Sequence, residues 1–156
     1  MCFGLVASWA MVGAGSVATG VALRRGDPFA IPATFAFFTV MEALQAAGYA
    51  VIDQCGAPGN QAVTLASYLH IALQPLFINA FCMALAPTAL SPRLRLTVYG
   101  LAALATGLML ARLVPGFGSC RPGEVLCGQA WCTVTGSWHL AWDMPLNGLW
   151  QPLATL

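Results

Sequence analysis

The chain has 156 residues, of which 59% are hydrophobic and 7% charged, with a formal net charge of +1. Soluble domains carry about 45–50% apolar residues, so a water-surrounded globule is excluded, and without any basic run so is a nucleic-acid clamp. Every cation is an arginine and none is a lysine, which excludes chemistry built on a lysine Schiff base, retinal attachment included.

A hydrocarbon core of about 30 Å takes roughly 20 apolar residues per helix. Runs of that length follow one another along the chain and predict a single all-α integral membrane domain over 1–156, a bundle of four to five transmembrane helices. The first run, about 2–23, is closed by Arg24-Arg25-Gly26-Asp27-Pro28. A signal peptide carries its positive charge before the apolar stretch, so this run is read as a retained helix with its N-terminus outside. Ala10, Ala14, Ala18 and Ala22 recur every fourth residue, a small-residue stripe of the kind that lets helices approach closely. The second run, about 29–52, contains Glu42 and Gln45 and ends in Asp53-Gln54-Cys55-Gly56-Ala57-Pro58-Gly59-Asn60, the chemistry of a tight loop. The third, about 61–86, holds His70, Gln74, Pro75 and Asn79; Pro75 removes a backbone donor and should loosen the helical ladder there. The fourth, about 96–114, carries Arg112 near its end and a second small face at Gly100, Ala103, Gly107 and Ala111.

From 115 to 136 the composition turns to Gly, Cys, Pro and polar residues, which predicts an outer loop. The segment 137–156 is of membrane length but contains His139, Asp143, Asn147 and Gln151 with prolines and tryptophans. It is read as a fifth helix with its polar side inward, the alternative being an interfacial helix anchored by Trp138, Trp142 and Trp150. The sequence ends without a charged tail, which leaves room for a natural chain that continues past Leu156.

Arg24, Arg25, Arg93 and Arg95 lie in the first and third loops, whereas the second has no arginine and the fourth only Arg121. The positive-inside rule then makes the first and third loops cytoplasmic. Cys55, Cys120, Cys127 and Cys132 all fall in the two loops on the opposite side, as a disulfide framework in an oxidising compartment requires. Their spacing matches no zinc-ligand pattern, and the pairing stays open. A bacterial inner membrane, with the Cys-rich loop periplasmic or extracellular, is the expected location.

Ionisable groups within a span usually face the bundle interior and find a partner. Counting about 1.5 Å per residue from the outer ends, Glu42 and His70 fall at the same depth, which predicts that they face each other. Gln45 and Tyr49 share the Glu42 face, and Ser67 and Gln74 share the His70 face. Arg112 is shallower, and on a helical last segment His139 and Asp143 would lie one turn apart. The expected intramembrane cluster is therefore Glu42, Gln45, His70, Gln74, Arg112, His139 and Asp143, with Glu42, His70, His139 and Asp143 as candidate metal ligands. His70 and His139 are also candidate haem ligands, although no Cys-x-x-Cys-His attachment motif is present.

His139-Leu-Ala-Trp-Asp143 resembles the last-helix histidine motif of the membrane-embedded ceramidase and adiponectin-receptor-like hydrolases. The resemblance implies metal-dependent hydrolysis, but Asp143 stands where that motif has its second histidine, and those proteins have seven helices. The stretch from Met41-Glu42-Ala43-Leu44-Gln45 through Leu69-His70-Ile71-Ala72-Leu73-Gln74-Pro75 resembles an uncharacterised family of small polytopic membrane proteins, and that resemblance implies no activity. The reading preferred on sequence is a non-enzymatic accessory or binding subunit of a larger membrane assembly, with the bilayer and other membrane subunits as partners. A membrane-embedded metal-dependent hydrolase and a haem or pigment carrier are the alternatives, so the expected cofactor is a metal ion, a haem, a pigment or none.

Overall fold

Among the described residues, the apolar runs fold as four helices, each long and apolar enough to cross a membrane. A computed structural model of the chain describes residues 4–86, 90–118, 126–137 and 139–149. The helices are α1 (Leu5–Arg25), α2 (Ala30–Ala50), α3 (Pro58–Leu85) and α4 (Pro92–Ala111). α1 stops where Gly26 takes a left-handed conformation (φ 70°), which lets the Asp27 amide reach back to the Ala22 carbonyl at 3.1 Å. α3 and α4 begin earlier than hydropathy alone predicts, each at a proline in the first turn. Proline is preorganised there, and its missing N–H would have had no helical partner. Ser91 adds a cap to α4 by accepting from the Leu94 amide at 3.3 Å. α4 also ends sooner, at Ala111, where the amides of Arg112, Leu113 and Val114 tighten into bonds to carbonyls three residues back.

Among the described residues, the segment predicted as a fifth helix is not helical. Cys132–Thr135 (β1) and Leu140–Asp143 (β2) form a two-stranded antiparallel hairpin pairing Thr133 with Trp142 and Thr135 with Leu140. β1 lies inside the stretch predicted as loop, and its Thr-Val-Thr run is β-branched throughout, the side-chain type a pleated surface favours. Gly136 makes the turn: its amide bonds to the His139 carbonyl at 2.9 Å, and a side chain on it would collide with that oxygen.

Helices adjacent in the chain pack on one another, α1 on α2, α2 on α3 and α3 on α4, while β1 packs on α3 and β2 on α2. On α1 the packed face is Ser8, Gly15 and Ala22, a seven-residue repeat, and a Cβ at Gly15 would strike the Thr39 side chain of α2. Of the predicted alanine stripe only Ala22 is buried, and Ala10 and Ala14 face outward. α4 likewise buries Ala102 and Thr106 and exposes Gly100, Ala103 and Gly107.

The hairpin covers the end of the bundle formed by the C-terminus of α2, the N-terminus of α3 and the C-terminus of α4. A Cβ on Gly48 would lie 3.0 Å from Leu140 Cδ1, so glycine is what allows β2 this close to α2. Tyr68, Met144 and Leu146 form a buried cluster there, backed by Trp131 and Trp142. Tyr68 satisfies its hydroxyl by donating to the Met109 carbonyl at 2.7 Å, which also joins α3 to α4.

Asn60 fastens the hairpin. Fully buried, it donates from Nδ2 to the carbonyls of Val51 (2.7 Å) and Thr133 (2.9 Å) and accepts from the Thr133 amide (2.9 Å). The Thr64 and Thr133 hydroxyls meet beside it at 2.8 Å. Nearer the surface, Asp53 accepts from the Thr135 amide (2.8 Å) and hydroxyl (2.6 Å). A Cys55–Cys132 disulfide closes the junction across 77 residues. Cys127 is disulfide-bonded as well, Cys82 is free, and the call on Cys120 lies outside the described residues.

Candidate functional site

Below the hairpin, α1, α2, α3 and β2 line a half-open cavity of about 700 Å³, within the roughly 300–1,000 Å³ usual for small-molecule sites. Its walls are mainly apolar, with Met11 from α1, Phe35, Phe38, Met41 and Leu44 from α2, and Ile71 from α3. Set among them are Glu42, Gln45, Ser67, His70 and Gln74, and His139 and Trp142 enter from the hairpin side. Glu42 and Gln45 share a helix face at three-residue spacing, as do Ser67, His70 and Gln74 at three and four, so the two polar stripes of α2 and α3 meet in one wall.

Glu42, Gln45 and His70 are only 7%, 6% and 7% exposed. Yet Glu42 Oε2, Gln45 Oε1 and His70 Nε2 are buried with no hydrogen-bond partner among the described residues. Glu42 and His70 both line this cavity but form no salt bridge, since among the described residues the only ion pair is Arg25 with Asp27. The His70 ring is held by stacking instead: Phe37 lies against it at 3.7 Å and against Phe77 at 3.9 Å on its other side. Pro75 has no N–H to offer the Ile71 carbonyl, and separately the Asn79 side chain donates to the Pro75 carbonyl at 2.7 Å, so Asn79 turns back on its own helix.

Two residues of the expected cluster lie elsewhere. Asp143 is exposed and does not line the cavity. On a helix it would share a face with His139, but an extended chain moves it about 13 Å along at ~3.3 Å per residue. Arg112, buried at 8% exposure, lines a separate cleft with residues that follow α4 and β2. His139 reaches the cavity mouth with Nδ1 2.6 Å from the Leu140 carbonyl. Among the described residues no three His, Cys, Asp or Glu side chains come close enough together to hold a metal ion. Trp142, a membrane anchor in the alternative reading of an interfacial helix, lines the cavity. Only a period-two reading of 140–143 would have found it, by placing Leu140 and Trp142 on one side of a strand.

A family model for a family of unknown function, DUF5765, matches residues 6–156. The chain belongs to the DUF5765 family. No curated protein and no solved structure matches it. In this DUF5765 member the polar wall of Glu42, Gln45 and His70 therefore has to be interpreted from its own chemistry. An apolar cavity whose wall carries the polar side chains Glu42, Gln45 and His70 suits a molecule that is greasy along its length and forms hydrogen bonds from one end.

Proposed function

We propose that this protein is a non-enzymatic, membrane-embedded binding protein whose cavity holds a small amphipathic molecule with a hydroxyl or amino end. The observation that carries the reading is the polar patch of Glu42, Gln45 and His70 in the wall of an apolar cavity, each with one buried atom that has no hydrogen-bond partner among the described residues. A polar group left unsatisfied in the interior costs about 1–3 kcal/mol. A ligand that forms hydrogen bonds with these side chains recovers that cost, whereas an alkane of equal length does not. A pigment or haem with such a polar edge is a coloured case of the same reading. The outward Gly100, Ala103 and Gly107 face of α4 supports placing the protein in a larger membrane assembly, because small residues permit close helix contact. The Cys55–Cys132 bond supports an oxidising environment for the hairpin end, periplasmic in a bacterial inner membrane.

The test uses the full chain in lipid nanodiscs, with thermal unfolding followed against added 1-dodecanol and, separately, dodecane. Dodecanol should stabilise the wild type more than dodecane does, and Glu42→Met should abolish the difference. Equal effects of the two probes on the wild type would refute the reading. An absorbance band in the purified protein would identify the coloured case.

A further inference from the structure

The register of α2 against α3 is fixed near both ends, so depth in the cavity can be counted along the two helices. At the hairpin end Asn60 donates to the Val51 carbonyl, and far below it the Thr34 hydroxyl reaches the Phe77 carbonyl at 3.1 Å. Both chains advance by the same number of residues between these bonds. Counting ~1.5 Å per residue from Val51 and Asn60, Gln45 and Ser67 lie about 9–11 Å deep, and Glu42 and His70 about 13–15 Å. On the same count Phe38 and Gln74 lie about 20 Å deep and Phe35 about 24 Å. The polar side chains therefore gather in the hairpin half of the cavity, with Gln74 the exception below, since Thr39 donates its hydroxyl to the Phe35 carbonyl at 2.8 Å.

The walls set how a ligand arrives. Thr39 meets Gly15 of α1 and Thr34 meets Phe77 of α3, on two different faces of α2, so α1 and α3 stand on either side of it. At roughly 3.6 residues per turn, Phe35, Phe38, Glu42 and Gln45 occupy the arc of α2 between those faces. They form the floor of a trough whose end wall is the hairpin, through His139 and Trp142. The open side of the trough lies at depths along membrane-length helices that a bilayer fills with acyl chains, and the half-exposed Met11 of α1 stands at its rim. Such an opening gives onto lipid rather than water.

We propose that the ligand is a single-chain lipid with a hydroxyl headgroup, drawn sideways from the hairpin-side leaflet, its head among Gln45, Ser67, Glu42 and His70 and its chain running past Phe38 toward the bilayer centre. This rests on the binding reading above and adds to it the lipid class, the leaflet and the orientation. Lipids of the hairpin-side leaflet already point their heads toward the hairpin, so entry takes a sideways step and no inversion. A lipid of the opposite leaflet would bring its chain to the polar patch. A cavity of about 700 Å³ is the size of a site for one drug-sized molecule, which admits one acyl chain and not the two of a phospholipid. Glu42 in the patch also disfavours a phosphate head, because an acid offers an anion no counter-charge at a depth where charge is costly.

The full chain in lipid nanodiscs is photolabelled with two dodecanol analogues, one carrying a diazirine beside the hydroxyl and one carrying it at the far end of the chain, and the labelled residues are read by mass spectrometry. The first should mark Gln45, Ser67 or Trp142, the second Phe35 or Phe38, and excess unlabelled dodecanol should suppress both several-fold. The reverse order would overturn the inference, as would labels confined to outward residues such as Val17 and Leu65 that dodecanol does not compete away. Met11→Trp, a substitution at an exposed position on the rim, should slow labelling of the cavity several-fold after the probe is added, and an unchanged rate would overturn lateral entry. Thermal unfolding keeps these failures apart from failure of the binding reading. If dodecanol still stabilises the wild type more than dodecane does, the site stands and its leaflet, orientation or route is wrong; equal effects of the two remove the site itself and this inference with it.

Discussion

Replacing Glu42 by methionine separates two opposite accounts of the cavity wall. If Glu42 and His70 were an ion pair, removing one partner would strand a buried charge and cost about 3–5 kcal/mol. No such pair is present, and Glu42 Oε2 is already without a partner among the described residues at 7% exposure. Methionine is close to glutamate in length and has no oxygen to strand, so the unliganded protein should recover the penalty of about 1–3 kcal/mol for a buried unpartnered group. For a chain of this size each kcal/mol is roughly 2–4 °C in Tm. Unfolding in neutral detergent, with the cavity emptied by solvent extraction, should therefore give a higher midpoint for Glu42→Met than for wild type. His70→Phe, which preserves the stack on Phe37, should behave in the same direction. A fall of several kcal/mol in Glu42→Met, relieved by adding His70→Phe, would show that the two side chains are paired after all and would refute the reasoning.

Asn60→Ala should lower stability by roughly 2–6 kcal/mol, because the Val51 carbonyl and Thr133 amide each lose their partner at about 1–3 kcal/mol apiece; a loss below 1 kcal/mol on denaturant unfolding would mean that water replaces the side chain. The Thr135 hydroxyl and amide hold the Asp53 carboxyl below its ordinary value of 3.8, so its contribution is complete above that pH and disappears as the pH falls through the depressed value. Asp53→Asn, which tolerates the same left-handed backbone (φ 61°), should flatten the acid limb of a stability-against-pH profile, and an unchanged limb would dissociate Asp53 from it. Replacing Cys55 and Cys132 together by serine should cost about 2–4 kcal/mol, less than the ~4.5 kcal/mol of loop entropy for a freely unfolding chain, since α2 and α3 stay inserted in the bilayer; insensitivity of the wild type to reductant would show that the hairpin is held by its hydrogen bonds alone.

The helices are legible in the sequence because lipid demands a single property, apolar length, and hydropathy measures that directly. Their starts are less so: Pro58 and Pro92 look like loop chemistry until proline's fitness for the first helical turn is considered. The hairpin is hidden for a related reason. Counting apolar residues over 137–156 registers a span, but the count is blind to the period-two order of 132–135 and 140–143 and to a long-range disulfide that fixes where those residues lie. Equal depth of Glu42 and His70 could be counted from the loops, and it brings both to one cavity. Whether their atoms touch could not, because that depends on how the Phe37 ring stacks on the His70 imidazole and where the hairpin lets α2 and α3 sit.

The same two helices carry two kinds of polar residue, and the contrast between them bears on function. Near the hairpin, Asn60 and Thr64 on α3 and Asp53 after α2 have their side-chain groups matched to partners on β1. A few turns deeper, Glu42, Gln45 and His70 are buried, and each keeps one polar atom without a hydrogen-bond partner among the described residues. Both sets share one fold and the same demand that buried polar atoms be satisfied; Thr106 Oγ1 and Arg112 Nε also lack partners among the described residues, but only Glu42, Gln45 and His70 gather such atoms beside one cavity. The fold can saturate such atoms and does so wherever the partner is its own backbone. At the cavity wall Glu42, Gln45 and His70 instead keep unpartnered polar atoms beside an open space, at a cost to the empty protein, and we infer that a binding site is the arrangement in which that cost is returned.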